Sequence, residues 1–249
     1  MILYPNAKIN IGLNVIKKRI DGFHEISSVF YPVKSFYDIL EIIPSNILKF
    51  SSTGLNIPGK ENICLKAVYL LQEDFNIGNV KIHLHKKIPI GAGMGGGSAD
   101  GAYTLIALNN LFNLNLSNIQ LKRYALKLGA DCPFFIDNKP KYITGIGEKM
   151  QGINLDLSSY KLKFIFPKKH ISTKEAYNDI IPVNPKIHLL DLVNQSLDNW
   201  KGKVINDFEL LIFQKYPVFK KIKQQLYEDG AIYASMSGSG SMIYGIFLK

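Results

Sequence analysis

The stretch from residue 89 to residue 98 combines residue types that suit phosphate binding. Five glycines occupy the seven positions from 91 to 97, between a strand-like stretch and a helical pattern. Because each glycine weakens a helix or strand by roughly 0.5–1 kcal/mol relative to alanine, packing alone does not account for so many. Backbone N–H groups at a flexible turn before a helix bind anions. The pattern predicts a phosphate loop that consists of Pro89, Gly91, Ala92, Gly93, Met94, Gly95, Gly96, Gly97 and Ser98.

Ser98 adds a hydroxyl directly after the last glycine. The hydroxyl can bind a phosphate oxygen or its metal ion, or it can cap the helix that follows. A tight turn with Ser98 as the helix N-cap is therefore the alternative interpretation of this segment.

Three familiar phosphate loops do not match the segment. A Walker A loop needs Lys after its last glycine, where this chain has Ser98. The GxGxxG spacing of dinucleotide-binding proteins is present, but residues 101–130 contain no Asp or Glu that would bind the ribose. A protein kinase would need His-Arg-Asp and Asp-Phe-Gly triplets, and neither occurs in the sequence.

The apolar pattern indicates the elements that must position these residues. Residues 7–15 alternate apolar and polar, which predicts a strand with one buried face and with Lys8 and Asn10 on the opposite face. Residues 51–61 are polar and contain Gly and Pro, which predicts a loop. Further strands are predicted in 26–43, 80–88, 160–166, 231–235 and 242–248, and helices in 62–75, 118–128, 172–180 and 206–228, with two more after Ser98 and at Pro133.

The glycine loop resembles the phosphate loop of the GHMP superfamily, which includes galactokinase, homoserine kinase, mevalonate kinase and phosphomevalonate kinase. The strand with Lys8 and the loop from Ser237 to Gly240 are similar to other motifs of that superfamily. Further segments resemble one branch of it, whose substrate carries a cytidine diphosphate group. These segments begin at Ala7, Asp21, Gly97, Leu128, Gly145 and Ser172.

The resemblance implies an α/β (α+β) protein of two domains with the GHMP kinase fold. Residues 1–154 would form the ATP-binding, catalytic domain, similar to domain 2 of ribosomal protein S5. Residues 155–249 would form a ferredoxin-like C-terminal domain.

The resemblance also implies a reaction, in which ATP phosphorylates the tertiary 2-hydroxyl of a cytidylyl sugar alcohol diphosphate. Asp131 matches the catalytic carboxylate, which would accept the hydroxyl proton. Lys8 matches the catalytic lysine, which would keep Asp131 ionised and stabilise the developing negative charge. Without the resemblance, Asp131 is an acid at a helix start and Lys8 is a solvated residue on a strand.

Substrate-binding residues follow from the same resemblance. Phe23 and Tyr177 would stack on the cytosine, and His24 would contact the edge of the base. Asn10 and Thr173 would bind the rest of the substrate.

The nucleotide side is implied in the same way. Asn62 would line the adenine pocket, and ATP would bind with a Mg²⁺ ion that Ser98 contacts.

Composition sets the remaining expectations for this chain of 249 residues, of which 47% are hydrophobic and 20% charged. No apolar run approaches the ~18 residues of a membrane span, and no signal peptide is visible. Two cysteines do not make a disulfide framework. We therefore expect a cytoplasmic protein with a small-molecule substrate and no membrane partner, either a monomer or a weak homodimer.

The net charge of +10 is the one feature that suggests nucleic acid. Only Arg19 and Arg123 are arginines, however, and arginine is the better residue for bidentate recognition of bases and phosphates. The lysine pairs are scattered along the chain rather than gathered in one tract. We expect a solvated basic surface and no nucleic acid partner.

Two alternatives stay open. Another small-molecule GHMP kinase, of the homoserine or mevalonate type, would lack the turn from Asp21 to His24 and would need no cytosine pocket. A basic RNA-binding module on an S5-like scaffold would bind RNA in a salt-dependent way and would have no use for five clustered glycines.

Overall fold

A computed structural model describes residues 1–59, 62–178 and 180–249. The strands of this part of the chain are β1 (Ile2–Leu3), β2 (Asn6–Lys18), β3 (His24–Tyr37), β4 (Ile39–Pro44), β5 (Lys49–Gly54), β6 (Val80–Lys86), β7 (Lys141–Thr144), β8 (Lys149–Gly152), β9 (Tyr160–Ile165), β10 (Tyr233–Met236) and β11 (Ile243–Leu248). The α-helices are α1 (Ile63–Gln72), α2 (Gly96–Leu111), α3 (Asn118–Leu128), α4 (Cys132–Asp137), α5 (Thr173–Asn178), α6 (Leu189–Val193), α7 (Phe208–Lys215) and α8 (Pro217–Glu228).

The chain divides into two compact units, each made of several segments. The first unit contains Met1–Lys8, Pro32–Ile90 and Gly95–Lys139. The second unit contains Ile9–Tyr31, Gly91–Met94 and Pro140–Lys249. The predicted domain boundary between residues 154 and 155 stays a prediction.

The first unit is built on a four-stranded sheet in the order β1-β4-β6-β5. Strand β4 pairs antiparallel with β1 and β6, whereas β5 runs parallel to β6. Helices α1 and α2 pack on each other, and α2 also packs on β4. Apolar residues at helical spacing, among them Val68 and Leu71 of α1, are fully buried. Two polar caps fix the helix starts, because Asn62 Oδ1 accepts from the Cys64 N–H and Ser117 forms a capping box with Gln120.

The second unit holds the antiparallel sheet β10-β11-β9. It also holds most of the sheet β2-β3-β7-β8, in which β7 pairs antiparallel with β3 and β8. Its core contains residues of β2 and β3 together with α5, α7, α8 and the strands β10 and β11. Members of this core include Leu13, Phe208, Phe219, Met236 and Ile243.

Strand β2 confirms the predicted strand at residues 7–15 but not its solvated face. Every residue from Asn6 to Val15 is buried, including Lys8 at 4% and Asn10 at 2% exposure. The alternation therefore separates an apolar face from a polar face that is also covered by protein. Buried polar groups need partners, so the polar face of β2 is where a site can be expected.

Two other expectations about local structure were wrong. The helix predicted at 206–228 is two helices, because Pro217 lacks the N–H that would continue α7 and instead starts α8. The predicted loop at 51–61 begins as strand β5, which lies on the edge of its sheet beside β6. Lys60 and Glu61, at the end of that predicted loop, lie outside the described residues.

None of the helices among the described residues is long and apolar enough for a membrane crossing.

Candidate active site

The end of the glycine loop forms the first turn of α2. Gly95 is the N-cap residue, with the positive φ of 67°, and the helix starts at Gly96. Ser98 is therefore the third helical residue, and the alternative in which it caps the helix is wrong. The N–H groups of a first helical turn have no intrahelical acceptor, so they are available to an anion.

Gly97 has no structural need to be glycine. A Cβ atom added there would meet nothing within 4 Å, and its φ lies outside the left-handed region. Alanine would favour the helix by about 1 kcal/mol. A glycine at this exposed position fits a backbone that a ligand approaches closely.

Lys8 lies against the same turn of the loop. A Cβ added to Gly95 would be 3.0 Å from Lys8 Cγ. The Lys8 ammonium is buried, and its Nζ atom lies 3.5 Å from Oδ2 of Asp131. Burial lowers the pKa of Lys8, and the charge and hydrogen bond of Asp131 oppose that shift.

Asp131 occupies the N-cap position of α4 but makes no capping hydrogen bond with its side chain. Pro133 follows in the first turn of α4. The side chain of Asp131 is 33% exposed, so its carboxylate pairs with Lys8 and still reaches solvent. It is therefore placed both to be held by a cation and to meet a substrate.

Ser98 lies in the first turn of α2, three residues after Gly95, and Cys132 directly follows Asp131. Cys132 is fully buried, and burial raises the pKa of its thiol to about 12. The thiol therefore stays neutral and is not a nucleophile. Within the first unit, the predicted residues Lys8, Gly95, Ser98 and Asp131 thus lie in one place.

A buried charged cluster that the sequence interpretation missed lies beneath the same helical turn. Lys86 Nζ contacts Asp38 Oδ2 at 2.5 Å and Asp100 Oδ2 at 2.7 Å. The other oxygen of Asp38 accepts from the N–H groups of Lys87 and Ile88, where the loop begins. Asp38, Lys86 and Asp100 are each at most 2% exposed, and burial raises the pKa of Asp100 to about 8. The cluster joins the start of the loop to the first turns of α2. Its only signal in the sequence was a lysine near the end of the strand predicted at residues 80–88.

The first half of the glycine loop belongs to the second unit and packs against the loop that follows β10. Gly93 has a φ of +78°, and an added Cβ would be 2.1 Å from the Ser237 carbonyl oxygen. Ser237 Oγ donates to the Gly93 carbonyl at 2.8 Å, and the Met242 N–H donates to the Ala92 carbonyl at 3.2 Å. Two segments that the sequence interpretation noted separately therefore form one structure.

Asn10 is tied into that structure. Its N–H donates to Ser237 Oγ at 3.1 Å, and its Nδ2 donates to Ser28 Oγ at 2.8 Å. The Tyr244 hydroxyl donates to its carbonyl at 2.8 Å. Asn10 therefore orders the second unit around the Ser237 loop, and its predicted contact with substrate stays a prediction.

The predicted base-binding residues also lie in the second unit. The rings of His24 and Tyr177 stack with centroids 4.9 Å apart, and Tyr177 meets the edge of Phe208. Phe23 lies in the turn between β2 and β3 and is 58% exposed. Thr173 begins α5, with its Oγ1 3.3 Å from Ser239 Oγ. The structure thus places His24, rather than Phe23, face to face with Tyr177.

The segment Asn206-Asp207-Phe208-Glu209 was missed by the sequence interpretation and holds much of the second unit. Asn206 Nδ2 donates to the carbonyls of Met236 and Gly238, both at 2.9 Å. Asp207 accepts from the Val15 N–H at 2.7 Å, and Glu209 accepts from the Met236 N–H at 2.7 Å. Three polar residues in the four positions where the apolar helix α7 begins were the available signal.

Family models match both parts of the chain. The model of the GHMP kinases N terminal domain matches residues 62–139, and that of the GHMP kinases C terminal domain matches residues 188–249. A curated protein of Azobacteroides pseudotrichonymphae, a 4-diphosphocytidyl-2-C-methyl-D-erythritol kinase, is 49% identical over 100% of this chain and 94% of its own length. A kinase of the same name from Cytophaga hutchinsonii is 46% identical over 99% of this chain and 92% of its own length.

This chain belongs to the 4-diphosphocytidyl-2-C-methyl-D-erythritol kinase family. A crystal structure of a 4-(cytidine 5'-diphospho)-2C-methyl-D-erythritol kinase superposes with a TM-score of 0.83 and 30% identity, over 99% of this chain and 90% of the other. As a member of the family, the chain has the predicted GHMP kinase fold and is an ATP-dependent small-molecule kinase.

Proposed function

We propose that this kinase transfers the γ-phosphoryl group of ATP to the 2-hydroxyl of 4-diphosphocytidyl-2-C-methyl-D-erythritol, a step in the non-mevalonate route to isoprenoid precursors. The full-length similarity to kinases of that name supports the choice of substrate. The observation that carries the chemistry is the 3.5 Å pair of Lys8 and Asp131 beside the first turn of α2.

In this proposal Asp131 is the base and Lys8 is its electrostatic partner. The tertiary hydroxyl oxygen attacks the γ-phosphorus, its proton passes to the Asp131 carboxylate, and ADP leaves. The Lys8 ammonium keeps Asp131 ionised and offsets negative charge that develops on the transferring group. A hindered alcohol is a weak nucleophile, so positioning and charge compensation would supply most of the rate.

The N–H groups of Gly91 to Ser98 would bind the ATP phosphates, and Asn62 would line the adenine pocket. Asn62 already caps α1, and this role leaves its Nδ2 group available for a contact. The exposed Phe23 ring and the stacked rings of His24 and Tyr177 would bind the cytosine, with Asn10 and Thr173 contacting the rest of the substrate.

Mg²⁺ is part of the proposal, with Ser98 as its protein contact. Among residues 1–59, 62–178 and 180–249, no three His, Cys, Asp or Glu side chains are grouped to hold a metal ion. An ion at nucleotide phosphates takes most of its ligands from phosphate and water and needs only one or two from the protein, so a single hydroxyl fits. When bound, the ion would neutralise phosphate charge.

A substrate panel tests the proposal. The purified protein is supplied with ATP and Mg²⁺ and with the cytidylyl sugar alcohol, homoserine or mevalonate, and ADP release is followed in parallel. We expect turnover only with the cytidylyl compound, and ³¹P NMR should show one new phosphomonoester.

Turnover of homoserine or mevalonate instead would contradict the proposed substrate. A cytidine-free acceptor, the methylerythritol phosphate, serves as the matched control. Equal kcat/KM for that acceptor would contradict a cytosine pocket.

A further inference from the structure

Three polar side chains of the first unit form a closed hydrogen-bonded group, here called the amide cluster: Asn6, Tyr103 and Asn138. Asn138 Nδ2 donates to Asn6 Oδ1 at 2.7 Å, and Asn6 Nδ2 donates back to Asn138 Oδ1 at 3.2 Å. The Tyr103 hydroxyl donates to Asn6 Oδ1 at 3.0 Å and lies 3.1 Å from Asn138 Nδ2. Asn6 is 3% exposed, and burial raises the pKa of Tyr103, which keeps its hydroxyl protonated as a donor.

Each member of the amide cluster shares an element with a residue of the site. Asn6 and Lys8 point to the same side of β2, because side chains two positions apart in a strand share a face. Asn138 is the C-cap of α4, whose N-cap position is Asp131. Tyr103 lies on α2, whose third residue is Ser98.

The three elements are therefore joined at two levels. At the level of the site, Lys8 meets Asp131 at 3.5 Å, and the start of α2 packs on α4, since a Cβ added to Gly95 would be 3.1 Å from Phe135 Cζ. At the level of the amide cluster, the same strand and the same two helices meet again.

The distance between the site and the amide cluster matters, because contacts at two separate points restrict the angle between the elements. The two are separated by roughly 7 Å along the strand and roughly 10 Å along α4. One contact between two elements leaves them free to rotate about it, whereas two separated contacts fix their angle. The amide cluster is therefore a second, separate contact between the elements that carry Lys8 and Asp131.

We propose that Asn6, Tyr103 and Asn138 are positioning residues for phosphoryl transfer, which hold β2, α2 and α4 at the angle that pairs Lys8 with Asp131. The inference rests on the proposed roles of those two residues. None of the three touches the reacting atoms. Substituting any of them should lower kcat, because an error of about 1 Å in the placement of catalytic groups lowers the rate about 10²-fold.

The backbone at Asn138 allows a clean test. Its φ of 50° lies in the left-handed region, where glycine is accepted, so Asn138→Gly removes the amide and keeps the turn. Asn113→Gly is the matched control, since Asn113 has the same φ of 50° and is exposed outside the cluster. Tyr103→Phe removes one hydroxyl with little change in shape and serves where the glycine variant fails to fold.

We expect Asn138→Gly to lower kcat about tenfold or more with KM for ATP within about threefold of the original value, as misplacement predicts. Tyr103→Phe should lower kcat less, and the double variant should show a smaller loss than the product of the two, because the residues act as a unit. Asn113→Gly should leave kcat unchanged.

The inference is overturned if kcat stays within about twofold of the original value in both Asn138→Gly and Tyr103→Phe, or if Asn113→Gly changes kcat equally. A rise in KM for ATP as large as the fall in kcat would also overturn the inference.

A crystal structure of Asn138→Gly tests the inference without any substrate. The distance from Lys8 Nζ to Asp131 Oδ2 should exceed about 4 Å, the usual limit of an ion pair. An unchanged distance overturns the positioning role. Absence of turnover in the original protein would instead reject the proposed function, and the measured distance would still decide the present inference.

Discussion

Lys8 Nζ lies 3.5 Å from Asp131 Oδ2, and the two side chains differ sharply in exposure, at 5% for Lys8 and 33% for Asp131. A buried ammonium needs a counter-charge, and here the counter-charge is a carboxylate that also reaches solvent. The glycine turn at Gly95 packs on the stem of the same lysine. Through Lys8, a carboxylate that can accept a proton therefore lies beside a loop that can bind phosphate.

Asp131→Asn should lower kcat by about 10²–10⁴-fold, because the amide cannot accept the hydroxyl proton. KM for ATP should change little, since the first turn of α2 stays intact. Steady-state kinetics with varied ATP measure both values. Asp137→Asn is the matched control: Asp137 ends the same helix and pairs with Lys122 at 2.6 Å. Near-normal kcat in Asp131→Asn, or an equal loss in the control, would refute Asp131 as the base.

Gly97→Ala should raise KM for ATP about tenfold, equivalent to about 1.4 kcal/mol of binding, while the protein remains at least as stable. The added Cβ meets no protein atom, so any loss of affinity must come from the ligand. Isothermal titration with an ATP analogue and urea unfolding measure the two effects.

Gly101→Ala on the same helix is the contrast to that variant. A Cβ there would be 2.9 Å from Ile63, so the substitution should destabilise the fold by about 1–3 kcal/mol. If Gly97→Ala binds the nucleotide normally, the first turn of α2 does not hold phosphate as proposed.

Asp100→Asn should change how stability depends on pH. Burial raises the pKa of Asp100 to about 8, whereas an unfolded Asp titrates near 3.9. Between these values the folded chain keeps a proton that the unfolded chain has lost, so the free energy of unfolding falls as pH rises. The asparagine variant has no such proton, and the wild type should lose stability relative to it by up to about 1.4 kcal/mol per pH unit.

Urea unfolding of both proteins at pH 5, 6.5 and 8 measures that difference. Asp38 and Lys86 are present in both proteins, so the comparison changes Asp100 alone. A difference in stability that stays constant over this range, or that favours the wild type as pH rises, would show that Asp100 is ionised in the folded protein.

Local patterns were enough to predict most elements and the candidate loop. The alternation at residues 7–15 and the helical spacing at 62–75 are properties of a few neighbouring residues, and a strand and a helix formed there. The five clustered glycines are equally local, but the last two of them lie in α2 rather than in a loop. The single helix predicted at 206–228 failed because the apolar spacing continues across Pro217, where the backbone cannot.

The sequence by itself determined the family, most of the elements and the residue types that a phosphoryl transfer needs, because these depend on short motifs and local periodicity. Only the tertiary structure decided that Lys8 is buried against Asp131, that Ser98 lies inside a helix, and that Asn6, Tyr103 and Asn138 bond to one another. Contacts between distant segments depend on how whole elements pack, and no spacing along the chain encodes a separation in space.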